Sequence, residues 1–217
     1  MDLNQLSSAV SAHGLIIRGG FHPGPDDHVP TGTKTLILIG NAGPDMWRAF
    51  SNAMPDDPNP MNTWSKAIID AIAADVGADA AYPFAGPPYY PFQRWAMKAD
   101  TVFASPIGPL IHPTYGMWHA YRGALLFTET INLPDVPSTS SPCDTCIDKP
   151  CLSTCPVAAF SADGYDVPTC RTHIGSDEGF DCLENGCLAR RACPIGQDYI
   201  YEPAQAAFHM MHFLDPK

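Results

Sequence analysis

The cysteines of this chain are confined to a single stretch. All eight lie between Cys143 and Cys193, and none lies outside it. The stretch contains two groups of four thiols, and each group ends in Cys-Pro, at Cys155-Pro156 and at Cys193-Pro194. Thiolates are soft ligands that suit iron–sulfur clusters, zinc and copper(I). The stretch is therefore predicted to fold around a metal centre.

The spacing favours two 4Fe–4S clusters. The run opens as Cys143-x2-Cys146, and in two-cluster ferredoxins the fourth cysteine of such a run binds the other cluster. The first predicted cluster is bound by Cys143, Cys146, Cys151 and Cys193. The second is bound by Cys155, Cys170, Cys182 and Cys187. The second half departs from the usual spacing, since its last gaps are longer than the two and three residues of the ferredoxin run.

Disulfides and zinc binding are the two other interpretations of the cysteines. Disulfides are disfavoured because the N-terminus has no basic segment followed by an apolar stretch, so export is not expected. Zinc is the stronger rival, since sites of four thiolates are common. Zinc sites usually pair two Cys-x2-Cys knuckles, however, and only Cys143-x2-Cys146 has that spacing. His173 is an alternative ligand near Cys170, although eight thiols already suffice for two clusters.

Composition limits the partners. The 217 residues include 12 Lys and Arg, and the formal net charge is −11. Nucleic acid is not an expected partner, because binding it needs clustered basic residues. No run approaches the ~18 to 20 apolar residues of a membrane span, so no membrane association is expected either. A cytoplasmic protein that meets a small molecule and an electron donor protein is predicted.

The cysteine stretch also suggests the domain organisation. Residues 1–140 have no cysteine and are predicted as a mixed α/β domain, with strands over 33–40 and 116–128 and a helix over 62–76. Residues 134–142 form a linker rich in proline and serine. Residues 141–200 are predicted as a small iron–sulfur domain, and residues 201–217 as a closing helix that packs on the body.

The segment 112–123 carries residues suited to binding. In a strand starting at Gly116, alternation places Trp118, Ala120 and Arg122 on one face. Trp stacks on flat ligands, and Arg binds carboxylate or phosphate groups. The alternative is a half-buried strand with Arg122 in a structural ion pair.

The same segment resembles two related families. His112-Pro113-x-x-Gly116-x-Trp118-x-Ala120-x-Arg122-Gly123 resembles the cblC-type cobalamin-processing proteins. The eight-cysteine tail resembles that of epoxyqueuosine reductase, which joins a related cobalamin-binding domain to two 4Fe–4S clusters. The resemblance implies an α/β fold (an α+β nitroreductase-like sandwich) with a small, mostly helical ferredoxin-like domain.

The resemblance also implies cofactors and site residues. A corrinoid (cobalamin) would be lined by His112, Gly116, Trp118 and Arg122, with the clusters reducing its cobalt. His119 replaces the phenylalanine of the cblC-type motif, and the helical-repeat tail that epoxyqueuosine reductase uses for tRNA is absent. Modification of tRNA is therefore not expected.

Three functional hypotheses remain open from the sequence. The first is an oxidoreductase, either corrinoid-dependent or corrinoid-reducing, that relays electrons through two clusters. The second is a ferredoxin-like electron carrier whose first domain only docks partners. The third is a scaffold stabilised by zinc. No catalytic acid or base is predicted, because transfer of electrons from cluster to cobalt does not need one.

Overall fold

A computed structural model describes residues 2–161 and 164–215. Contacts between residues divide the chain into two compact units, each built from two segments. Unit 1 comprises the residues up to Thr101 together with His119–Thr139, and unit 2 comprises Val102–Trp118 together with the residues from Ser140 onward. Residues 102–118 thus group with the cysteine stretch. The predicted three-part division at residues 140 and 200 stays a prediction.

Helices and strands are mixed along the described chain, which confirms the predicted mixed α/β class. The helices are α1 (Leu3–Ser11), α2 (Asp45–Asn52), α3 (Pro60–Val76), α4 (Phe92–Ala99), α5 (Pro150–Ser153), α6 (Val167–Ile174), α7 (Phe180–Asn185), α8 (Leu188–Arg191) and α9 (Pro203–Leu214). The strands are β1 (Ile16–Phe21), β2 (Thr35–Ala42), β3 (Asp79–Ala81), β4 (Phe103–Ala104), β5 (Leu110–Ile111), β6 (His119–Phe127), β7 (Phe160–Ser161) and β8 (Gly164–Tyr165).

Unit 1 is organised around an antiparallel sheet in the order β1-β2-β6-β3. The central strands β2 and β6 carry continuous apolar runs, 36–39 and 124–127, and both runs are buried. A strand covered on both faces needs such a run rather than alternation. Helices α3 and α4 pack against this sheet. The strands predicted over 33–40 and 116–128 are confirmed as strands, but β2 begins at Thr35 and β6 begins at His119.

The residues at its two ends explain where helix α3 begins and ends. The helix begins at Pro60, whose missing N–H costs nothing in the first turn. It ends at Val76, the predicted bound, and the following Gly77 has a left-handed φ of 67°. Asn59 precedes the first helical residue, so the helix begins two residues before the predicted bound of 62.

Unit 1 also contains a buried polar network. Arg18 is 2% exposed, and its Nε and Nη2 atoms lie 3.0 and 2.6 Å from Oδ2 of Asp100. The hydroxyl of Tyr121 donates to the same oxygen at 2.9 Å. Next to Arg18, Gly19 has a φ of 84°, and a Cβ there would lie 1.8 Å from the carbonyl oxygen of Ala99. Only glycine allows this approach of strand to helix.

Unit 2 consists of short helices and two small hairpins, β4–β5 and β7–β8. Helix α9 packs mainly on α7 and also contacts α6, while α5 packs on α8. The closing helix predicted within residues 201–217 spans Pro203–Leu214, which confirms a helix in that segment. Within residues 2–161 and 164–215, no helix combines the length and the apolarity that crossing a bilayer requires.

Candidate cluster-binding site

Four of the predicted cluster cysteines line one cavity in unit 2. The cavity has a volume of about 210 Å³, and Ile111 and Met117 form part of its apolar wall. The thiols that line the cavity come from both ends of the cysteine stretch and belong to Cys143, Cys146, Cys151 and Cys193.

Local structure explains how the thiols of the first group reach the cavity. Cys143 lies in a 3₁₀ turn, and its N–H donates to Ser141 Oγ at 3.2 Å. Pro150 starts α5, so that Cys151 falls in the first turn of that helix. Cys193 follows α8, and its carbonyl oxygen accepts a hydrogen bond from the side-chain amide of Gln197.

Burial and neighbouring thiols raise the pKa of three thiols of the first group. Burial raises the pKa of Cys143 and Cys151, and the neighbouring thiols add to the effect. Burial likewise raises the pKa of Cys193, with Cys146 contributing. Several thiolates in one apolar cavity repel one another, so their anionic form requires a cation among them.

The remaining four cysteines form a second group. Cys170 on α6 and Cys182 on α7 are buried in one apolar cluster with Ala159 and Ile174, and Cys155 packs against this cluster. Burial raises the pKa of Cys187, with the thiols of Cys182 and Cys170 contributing. Cys155 and Cys187 also pack against the apolar cluster that contains Cys151 and Cys193, so the predicted pairing of cysteines with clusters stays a prediction.

Backbone amides point at the sulfur atoms of both groups. The N–H of Ala159 donates to Cys155 Sγ at 3.4 Å. Burial raises the pKa of Cys187 and Cys193, while backbone N–H groups, of Arg190 and Ala189 for Cys187 and of Ile195 for Cys193, lower it. Such hydrogen bonds stabilise thiolate ligands and tune the potential of a cluster.

The chemistry of the donors fits the predicted group. Thiols alone, in two sets of four, are the ligand set of two 4Fe–4S clusters. Among the residues that the structure describes, no three His, Cys, Asp or Glu side chains converge closely enough to hold a single metal ion. The assignment of the eight cysteines as ligands stays a prediction.

Tyr165 on β8 is a neighbour of the second group that the sequence did not single out. Burial raises the pKa of its hydroxyl, as do a hydrogen bond to Cys170 and the thiols of Cys187 and Cys155. Its ring stacks on Phe160 at 4.6 Å and on Phe213 at 6.0 Å. No spacing rule marks a tyrosine at this position, which is defined by the β7–β8 hairpin.

His173, the alternative ligand, lies on α6 and lines a shallow groove. The other residues of this groove are Val157, Pro168, Thr169, Thr172 and Ser176. None of the residues lining it is a cysteine. The structure therefore does not bring His173 into the cavity of the first group, and its role near the second group stays untested.

The predicted corrinoid residues fall in both units. His112 and Gly116 form a β-bridge in unit 2, and His112 Nδ1 accepts from the N–H of Thr114 at 3.0 Å and of Tyr115 at 3.2 Å. Gly116 has a φ of 57°, and a Cβ there would lie 2.0 Å from the carbonyl oxygen of Ile195. Both residues thus have local structural roles.

Trp118 also lies in unit 2, where it is 1% exposed. Its ring meets that of Tyr201 edge-on at 5.4 Å, and the guanidinium of Arg190 lies 4.3 Å from its centre. Strand β6 begins at His119, so Trp118 precedes it rather than sharing its alternation.

Arg122 lies in unit 1 and donates to two side chains of α3. Its Nη2 atom lies 2.9 Å from Asn62 Oδ1 and 3.1 Å from Ser65 Oγ. The register of β2 and β6 shifts between Ile39 and Gly40, which leaves Arg122 as the extra residue of a bulge. The bulge interrupts the alternation predicted for residues 118–122. Asn62 and Ser65 are neutral partners of Arg122, and the structural ion pair stays a prediction.

Comparisons with known proteins identify the fold. No protein-family model and no curated protein matches the sequence. Epoxyqueuosine reductase from Streptococcus thermophilus matches with a TM-score of 0.57 at 14% identity, covering 94% of this chain and 70% of that one. A structure of epoxyqueuosine reductase with an epoxyqueuosine-modified tRNA stem loop gives 0.55 at 14% identity, with the same coverage.

A third match comes from the other family named by the sequence motif. The C. elegans B12-trafficking protein CblC gives a TM-score of 0.50 at 12% identity, covering 99% of this chain and 97% of that one. Identities this low establish the fold and nothing finer. The chain has the fold that epoxyqueuosine reductase and CblC share.

Proposed function

We propose that this protein is an iron–sulfur redox protein that binds two 4Fe–4S clusters. The observation that carries the proposal is the grouping of the thiols. Cys143, Cys146, Cys151 and Cys193 line one cavity, while Cys170 and Cys182 are buried in one apolar cluster against which Cys155 packs. Burial raises the pKa of Cys187, and the thiols of Cys182 and Cys170 add to that effect. Bound clusters supply one-electron transfer at negative to moderately positive potentials.

The chain contributes three things to such clusters. The apolar walls around Cys151, Cys170 and Cys182 exclude water, which lowers the local dielectric. The amides that point at Cys155, Cys187 and Cys193 offset the negative charge of the thiolates. The short helices of unit 2 fix the spacing of the sulfur atoms.

A corrinoid is the electron acceptor that we propose. The motif His112-Pro113-x-x-Gly116-x-Trp118 and the fold shared with a B12-trafficking protein support it. His112, Gly116, Trp118 and Arg122 are the residues that the resemblance predicts for its site. Each of the four is engaged by protein groups in this structure, so a corrinoid would have to displace those contacts.

That engagement favours a second candidate function, a ferredoxin-like electron carrier without a substrate of its own. Trp118, at 1% exposure, offers no open ring face to a flat ligand. A carrier would need only the clusters and a docking partner. The two candidates share the clusters and differ in the corrinoid.

Anaerobic purification tests the clusters first. We expect a brown protein that absorbs near 400 nm and contains about eight irons per chain. A colourless protein that contains only zinc would overturn the proposal in favour of the zinc scaffold. Titration with cobalamin then separates the two redox candidates, because a carrier leaves the spectrum of cobalamin unchanged.

The same preparation tests nucleic acid as a partner. One structural neighbour was solved with a tRNA stem loop. The prediction of no nucleic acid partner rests on the net charge of −11 and on the scarcity of basic residues. A gel-shift titration with a tRNA stem loop at about 0.15 M salt, near the physiological ionic strength, decides it.

A further inference from the structure

The side chain of Ile147 is almost fully exposed to solvent. Its exposed fraction is 94%, and that of Leu152, five residues further along the chain, is 37%. Isoleucine is ordinarily one of the most buried residue types, so this exposure is unusual. Apolar side chains that a protein exposes beside a site often mark the place where another molecule binds.

Ile147 lies beside the cavity that the first group of thiols lines. The residues before and after it in the chain, Thr145, Cys146, Lys149 and Pro150, all line this cavity. Thr145 and Lys149 are exposed, so the cavity opens to solvent on this side of unit 2. A cluster bound by the first group of thiols would therefore lie close to the surface next to Ile147.

The loop that carries Ile147 is anchored at both ends. A 3₁₀ turn precedes it, in which the N–H of Asp144 donates to the carbonyl oxygen of Ser141 at 3.0 Å. Helix α5 follows it, and the N–H of Leu152 donates to the carbonyl oxygen of Lys149 at 2.9 Å. Because both flanking segments are hydrogen-bonded, the backbone presents Ile147 at a defined place on the surface.

The charges around Ile147 indicate what kind of partner this surface fits. Asp144 and Asp148 are exposed on either side of Ile147, and Lys149 is the basic residue of the same loop. Residues 140–217 contain eleven Asp and Glu but only five Lys and Arg. Clusters bound there would make the surface more negative still. Such a surface attracts a partner whose contact face is basic.

We propose that Ile147, Asp144 and Asp148 form the docking surface for a basic electron-transfer protein. The inference rests on the proposed function, because it requires a cluster at the first group of thiols. Ile147 supplies the apolar centre of the contact and the two carboxylates supply its polar rim, which is the usual anatomy of a protein interface. One electron passes between the cluster and the redox centre of the partner, so that one is oxidised as the other is reduced. No bond forms or breaks.

The experiment uses cytochrome c, a basic protein that accepts one electron, as the probe. The full chain is purified anaerobically, reduced with dithionite and desalted. It is then mixed rapidly with cytochrome c, and the second-order rate constant for reduction of cytochrome c is measured. The measurement is repeated between about 0.01 and 1 M salt, over which the Debye length falls from about 30 to about 3 Å.

Two variants test the two parts of the surface. Ile147→Ser should lower the rate constant about tenfold. Its iron content, its midpoint potentials and its rate of oxidation by ferricyanide, which is too small to need a docking surface, should match the parent. The double variant Asp144→Asn/Asp148→Asn should also react more slowly with cytochrome c at low salt, and its rate constant should depend less on salt.

Met54→Ser is the matched control. It removes an apolar side chain of similar size, 44% exposed, from the segment between α2 and α3 in unit 1. An unchanged rate constant in iron-loaded Ile147→Ser, or an equal fall in Met54→Ser, would overturn the proposal. So would a dimer of the parent chain, detected by analytical ultracentrifugation, that dissociates in Ile147→Ser, because a second copy would then occupy the surface.

Loss of iron still leaves a decision. If Ile147→Ser does not load iron, the double variant of Asp144 and Asp148 decides, and a rate constant and salt dependence equal to those of the parent would overturn the proposal. A parent chain without iron would instead refute the proposed function. An iron-loaded parent that shows no effect of these substitutions would refute the docking surface alone.

Discussion

Cys193 lines the same cavity as Cys143, although the two residues stand at opposite ends of the cysteine stretch. Because the two ends of the stretch meet at this cavity, the stretch forms a closed loop. The residues of the second group lie between those ends in the sequence. Loading of the two sites is predicted to be distinguishable by pairwise substitution.

Removal of Cys193 should empty the first site only. Cys193→Ser is expected to lower the iron content from about eight to about four per chain. The double variant Cys143→Ser/Cys193→Ser should lose no more, because both substitutions act on one cluster, whereas Cys187→Ser/Cys193→Ser should lose both clusters. Iron analysis with EPR measures this, and Ser153→Ala, at an exposed position of α5, is the control. The grouping is wrong if the first double variant loses far more iron than either single variant.

The hydroxyl of Tyr165 should raise the reduction potential of the second cluster. Tyr165→Phe keeps the ring that stacks on Phe160 but removes the hydroxyl that bonds to Cys170. Loss of a hydrogen bond to a ligand sulfur lowers the potential of a cluster, so one midpoint should become more negative while the iron content stays constant. Redox titration measures this, and Tyr89→Phe, on an exposed tyrosine of unit 1, is the control. Identical midpoints in parent and variant would remove Tyr165 from the site.

Some of these features could be predicted from the sequence and others could not, and the physical reason differs from one element to the next. The apolar run 36–39 predicts a buried strand because its length and β-branched residues leave few alternatives. The Cys-x2-Cys spacing predicts a shared site because a tight turn keeps both thiols close. Arg190 and Tyr165 were not predictable, since each reaches its partner through tertiary contacts that no local spacing encodes. The bulge at Arg122 was missed for the same reason, because a register shift belongs to two strands at once.

Arg122→Ala separates a binding role from a structural one. The substitution removes hydrogen bonds to Asn62 and Ser65 and should reduce the free energy of unfolding by about 1–3 kcal/mol. If Arg122 also binds a corrinoid, cobalamin affinity should fall while iron content is unchanged. Asn62→Ala is the matched variant, because it breaks the same hydrogen bond and leaves the guanidinium in place. Cobalamin affinity is measured by anaerobic spectral titration; a fall in both variants, or in neither, would count against binding by Arg122.

The pH dependence of stability should respond to Asp27. Burial raises the pKa of this carboxyl, but the Lys98 ammonium and the N–H of Gly24 outweigh burial, so its pKa lies below the ordinary value. A lowered pKa adds stability above the unfolded value of about 3.9, and this stability is lost as the pH falls towards the folded value. Asp27→Asn should therefore be less stable than the parent at neutral pH by about 1–3 kcal/mol. The difference should narrow between about pH 5 and pH 3. Urea unfolding followed by tryptophan fluorescence measures this, and a constant difference across that range would contradict it.

Replacement of Gly116 is predicted to destabilise the protein because of the backbone conformation and close backbone contact at this position. Its φ of 57° is left-handed, and a Cβ would meet the carbonyl oxygen of Ile195 at 2.0 Å. Gly77 is a matched control, since its φ of 67° is similar but nothing lies within 4 Å of its Cβ position. Gly77→Ala should cost only the strain of the left-handed region, about 1 kcal/mol, whereas Gly116→Ala adds a clash with backbone and should cost about 3 kcal/mol or more. Thermal unfolding of the iron-loaded chains measures both. Equal losses of stability would mean that the turn at Gly116 relaxes freely, and the glycine of the motif would then need a ligand to explain it.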